Sequence, residues 1–110
     1  MRPPGAPDWE RSAVGWLFDL CPPDYRQHEV LRRYPVVLAW VASRHVAAGV
    51  AAARDALADV RRELAGAVPP EAVAGALAAL EREGARLART GREVALVAAA
   101  LRGDRPAPRP

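Results

Sequence analysis

The chain is expected to be all-α, a long antiparallel helical hairpin with two short N-terminal helices over its open end. Two observations carry that expectation. The first is a pair of heptad rows: Val36, Ala39, Ser43, Val46, Val50, Ala53, Leu57, Val60, Leu64, and then Val73, Leu77, Leu80, Gly84, Leu87, Gly91, Val94, Ala98, Leu101. Both step by three and four residues, the spacing of a helix lying along another helix. The second is the turn signal between them, Gly66-Ala67-Val68-Pro69-Pro70. Folding back there sets Leu64 against Val73, Leu57 against Leu80, Ala53 against Gly84 and Val36 against Leu101 in one antiparallel register.

The elements follow in order. Met1 to Pro7 is rich in proline and holds too little apolar surface to order itself, so residues 1–7 read as a mobile tail. Asp8 suits the N-cap of a first helix over about 9–20, whose Ala13, Trp16, Leu17 and Leu20 share a face. Cys21-Pro22-Pro23 stops it, because proline supplies no amide hydrogen. Asp24 stands three residues before Gln27, a capping-box spacing that predicts a second helix from there to about Arg33. Tyr34 is held extended by Pro35, which fits the first turn of a third helix reaching about Ala65.

Gly66 terminates that helix, and Pro70-Glu71 opens a fourth that runs to about Arg102. Asp104 to Pro110 reads as a second mobile tail, leaving 8–103 as a single helical domain. All six aromatic residues lie in the first forty positions. The segments 36–42 and 94–101 are apolar almost all round and need cover on every side. The aromatic-rich helices are expected to supply it. Glu81 is expected between Arg54 and Arg61 across the hairpin, and Gly84 and Gly91 to let the helix axes approach.

Composition narrows function by exclusion. All sixteen basic residues are arginine, and lysine, isoleucine and asparagine are absent. Those three are encoded by AT-rich codons, so the pattern reads as a GC-rich genome. The isoelectric point near 10.0 then reflects codon usage together with a charge that never titrates away. With a net charge of only +3 and acidic residues interleaved throughout, nucleic acid does not follow from basicity alone. One cysteine excludes an internal disulfide and fits a reducing compartment. No signal-peptide h-region opens the chain, and its uninterrupted apolar runs are shorter than a membrane span. A cytoplasmic protein without a membrane partner is the expectation.

No catalytic, cofactor-binding or metal-binding set is read from the spacing, and the chain is expected not to be an enzyme. Cys21 and His28 flank the Pro22–Gln27 segment, but a nucleophile–base pair needs an exposed thiol within reach of the imidazole; a small enzyme with a site there is the third reading. His45 has no ligand residue three or four positions away. Arg82, Arg86, Arg89 and Arg92 form a stripe that fits a phosphate backbone, the alternative reading, although Glu81, Glu83 and Glu93 flank it. The leading reading is a helical protein–protein interaction or scaffold module. Its candidate partner rim is Asp24, Tyr25, Arg26, Arg32 and Arg33. Small residues on the far side of the third helix, Ala48, Ala51, Ala52 and Ala58, form a candidate self-association face, and a homodimer completing a four-helix bundle is expected.

The run Trp16-Leu17-Phe18-Asp19-Leu20-Cys21-Pro22-Pro23-Asp24-Tyr25-Arg26, followed by Leu31-Arg32-Arg33-Tyr34-Pro35, resembles small all-helical proteins of high-GC actinobacteria. That resemblance covers most of the chain after Asp8 and implies no activity. Length and hairpin shape are also similar to the small secreted Trp-x-Gly hairpin family, but the turn here lacks that motif.

Overall fold

The computed structural model describes residues 7–103, and the tails expected at either end lie outside them except for Pro7. Four α-helices make up the described residues: α1 (Pro7–Asp19), α2 (Glu29–Arg33), α3 (Pro35–Leu64) and α4 (Pro70–Leu101), with a 3₁₀ turn over Pro23–Gln27. No strand occurs among them. At 30 and 32 residues, α3 and α4 are each roughly 45–48 Å long at 1.5 Å per residue. The chain divides into two compact units, one from residues up to His45 with those from Gly91, the other Val46–Thr90.

In the first unit, Leu17, Phe18 and Cys21 from the end of α1 pack with Leu31 of α2, with Leu38, Ala39 and Ala42 of α3, and with Val94 of α4. Leu17, Leu38 and Val94 are fully buried. Tyr25, Val97 and Leu101 close around this cluster, half-buried. Three details differ from the sequence expectation. Pro7 opens α1, so Asp8 lies within its first turn rather than capping it. There its carboxylate meets the positive end of the helix.

The Asp24–Gln27 capping box is not formed. Pro22 caps the 3₁₀ turn, no side chain caps it, and the Tyr25 amide donates to the Pro22 carbonyl at 3.0 Å. Two consecutive prolines fix the backbone and remove amide donors, which favours a short i→i+3 turn over a helix start. His28 is then extended (φ −85°, ψ 110°), and α2 begins only at Glu29. The aromatic cover is also incomplete. Trp9 and Phe18 are buried, but Trp40 and Tyr34 stay 57% and 52% exposed.

In the second unit α3 and α4 pack closely as the two arms of the hairpin. Gly66 adopts φ +84°, the left-handed conformation that glycine accepts without a Cβ penalty, and ends α3. The Ala67 amide then donates to the Leu64 carbonyl at 3.0 Å. Pro69 supplies the carbonyl that receives the Ala72 amide at 2.9 Å and opens α4. A Cβ built on Gly84 would stand 3.7 Å from the Ala53 Cβ, which places Ala53 opposite Gly84 as expected.

That distance is an ordinary contact, so Gly84 is not where the helices demand glycine. The tight approach falls at Gly49, where an added Cβ would lie 3.0 Å from Leu87 Cδ1. Only Val46, Ala53 and Val60 are buried in this unit, one residue per heptad, while Val50, Leu57, Leu77, Leu80 and Leu87 remain half-buried. Glu81 makes no ion pair with Arg54 or Arg61 among the described residues. The ion pairs here run along α3 and α4 instead: Arg62 with Asp59 and Glu63, and Arg86 with Glu83.

Candidate interaction surface

The rim residues come from the 3₁₀ turn and α2, and the structure gives them unequal roles. Asp24 is exposed. Tyr25 is half-buried against the core of the first unit, its ring edge-on to His28 at 6.0 Å and tilted toward His45 at 6.5 Å. Arg26 donates to the Asp19 carboxylate at 2.6 Å while its guanidinium lies 5.2 Å from the centre of the Phe18 ring. It therefore braces α1 against the turn. Arg32 donates to the Arg26 carbonyl, so it fastens α2 to the 3₁₀ segment. Arg33 lies over the Tyr34 ring at 5.9 Å, within the range of a cation–π contact.

Cys21 is buried, and burial pushes its thiol above the usual range. A neutral, enclosed thiol does not have the exposed, lowered-pKa setting that activates a cysteine nucleophile. No group of three or more metal-ligating side chains occurs among the described residues. Arg82, Arg86 and Arg89 are exposed on α4 in the second unit, and Arg92 is exposed in the first. Arg86 is held by Glu83 through Nε at 3.0 Å and a terminal nitrogen at 2.7 Å. This local neutralisation interrupts the stripe at its second position.

Ala48, Ala51, Ala52 and Ala58 are all exposed on α3. At the hairpin turn the second unit holds an open, mainly apolar concavity of about 560 Å³, walled by Val68, Val73 and Leu77 with Arg61 at its edge. Sequence reasoning missed one feature, a run of exposed apolar side chains: Val30, Tyr34, Val36, Val37 and Trp40. Of these, Tyr34, Val36, Val37 and Trp40 belong to the end of the hairpin that the sequence pattern predicts to be covered. The available signal was the all-round apolar character of 36–42, which shows that cover is needed but not which arc lacks it.

Although the uninterrupted runs are short, α3 contains an eighteen-residue window of mean hydropathy 1.5, of which 28% is buried. By length and composition alone that helix is apolar enough to cross a bilayer. No protein-family model matches the chain, and no curated protein or solved structure is significantly similar to it.

Proposed function

We propose that the protein is a non-enzymatic helical interaction module whose first partner is a second copy of itself. The observation that supports this is the thin core of the Val46–Thr90 unit. Its three buried side chains are two valines and an alanine, and its leucines stay half-buried. A two-helix layer buries one stripe per helix, whereas four helices enclose that stripe from more sides. The exposed Ala48, Ala51, Ala52 and Ala58 leave room for another helix to approach α3 at the short end of the usual 8–10 Å interaxial range. The proposed dimer uses this face with part of α4, in the two-fold arrangement commonest among oligomers.

Light scattering of the wild-type chain at tens of micromolar is expected to give twice the monomer mass. Ala51→Glu places a charge in a close helix contact and is expected to give a folded monomer, while Ala6→Glu leaves the dimer intact. A well-folded monomeric wild type sinks the self-association reading.

A further inference from the structure

Seven large apolar side chains stay exposed among the described residues, and five of them fall between Val30 and Trp40. On α3, Val36, Val37, Trp40 and Arg44 lie within roughly 100° of arc at 3.6 residues per turn. Leu38, Ala39 and Ala42, on the remaining arc, are fully buried in the core of the first unit. Each exposed aromatic of the segment 30–40, Trp40 on this arc and Tyr34 just before α3, carries a guanidinium beside it. Arg44 stands 5.6 Å from the Trp40 ring centre and Arg33 stands 5.9 Å from that of Tyr34.

Neither arginine has a carboxylate partner among the described residues. Arg32, whose own contact is to a neutral carbonyl, adds a third cation. Within residues 29–45 those three arginines face one carboxylate, Glu29, for a net of +2 with histidine neutral. The segment from α2 into the first turns of α3 therefore combines exposed apolar area, two amphipathic rings and a net positive charge.

We propose that this face binds the surface of an anionic phospholipid bilayer. Such a surface presents acyl chains beneath a layer of phosphate, so one occupant satisfies both halves of the patch. Tryptophan and tyrosine place an apolar ring at the edge of the hydrocarbon and a polar tip among the headgroups. Arginine buries its stem and reaches phosphate with its guanidinium. A second copy is a poorer occupant, since two-fold pairing brings the same cationic arginines onto both sides of the contact.

Binding is at the surface and does not span the bilayer. Leu38, Ala39, Ala42 and Val94 are already enclosed within the protein, and spanning by α3 would strip that core. The proposal is independent of the dimer, which is measured without lipid and broken by a variant outside this patch.

The test is co-sedimentation of the full chain with vesicles of phosphatidylcholine alone or mixed with phosphatidylglycerol. The protein is expected to pellet with the anionic vesicles and to stay in solution with the neutral ones. Trp40→Ala, and separately the pair Arg33→Gln with Arg44→Gln, are each expected to weaken binding about tenfold or more. Circular dichroism checks that these exposed substitutions leave the helices intact.

No pelleting with anionic vesicles at low salt overturns the proposal, as does binding indifferent to Trp40→Ala. Resistance of bound protein to alkaline carbonate indicates a span and overturns the surface reading. A dimer mass that Trp40→Ala abolishes without lipid assigns the patch to a second copy and also overturns it.

Discussion

The unit containing α1, α2 and the first turns of α3 encloses leucine, phenylalanine and tryptophan, whereas the unit around the hairpin turn encloses only valine and alanine. Both draw on α3 and α4, so the contrast does not come from helix-forming ability. It comes from the number of elements available to cover a side chain. Where α1, α2 and the 3₁₀ turn join the pair, Leu17, Leu38 and Val94 lose all contact with solvent. Where the hairpin stands as two helices, every leucine on the seam keeps part of its surface in water. A heptad row marks the side chains that meet a partner helix. How deeply they are buried depends on what lies over that pair.

The sharpest way to break this comparison is to truncate one leucine in each unit. Leu38→Ala removes a fully enclosed side chain and leaves a cavity that its neighbours fill only in part. The expected loss is about 2–5 kcal/mol, read from urea unfolding followed by circular dichroism. Leu80→Ala removes a side chain that is half-buried in the isolated chain, where the expected loss is about 1–2 kcal/mol. Equal losses would mean that Leu80 is enclosed in solution by something beyond its own chain. A second copy at that position would then be the natural account.

A smaller effect separates two glycines within the second unit. Gly84→Ala adds a methyl group in ordinary contact with the Ala53 Cβ at 3.7 Å. It gains helix propensity without strain, and a stabilisation of about 0.4–1 kcal/mol is expected. Gly49→Ala places its methyl 3.0 Å from Leu87 Cδ1. The leucine end must swing aside, which offsets the gain, so the expected change is near zero. Thermal melts of both variants check the order. A larger gain at Gly49 than at Gly84 would show that Leu87 rests only lightly on α3.

These particulars mark how much was legible in the sequence. The hairpin was, because the row spacing, Gly66 and Pro70 all pointed to one turn and one register. The break at His28 was not, because a capping-box spacing looks the same whether or not two prolines upstream force a 3₁₀ turn. Gly49 was overlooked because it lies beside the seam row, and its tightness depends on where Leu87 points. At the candidate surface, Arg26, Arg32 and Arg33 were singled out, yet their bracing contacts depend on that unforeseen turn. Trp40 was read as covered because a segment apolar on all sides carries no mark of the side left open.

The smallest expected effect concerns Glu83 on α4. Arg86 donates two hydrogen bonds to Glu83, at 3.0 and 2.7 Å, and holds that carboxyl below the usual carboxylate range. Because the folded value is the lower one, the stabilisation is present above the unfolded pKa and is lost as pH falls through the folded pKa. Both groups are exposed, so water and salt screen the pair and its effect on unfolding is expected to be slight. The direct observable is the titration of the Glu83 side-chain carboxyl by nuclear magnetic resonance. It is expected to lie below the ordinary carboxylate range and to rise toward it in Arg86→Ala. A Glu83 titration unchanged by that substitution would mean that Arg86 is free in solution. The arginine stripe of α4 would then be uninterrupted, and salt-dependent binding of DNA to Arg82, Arg86 and Arg89 would become the measurement to make next.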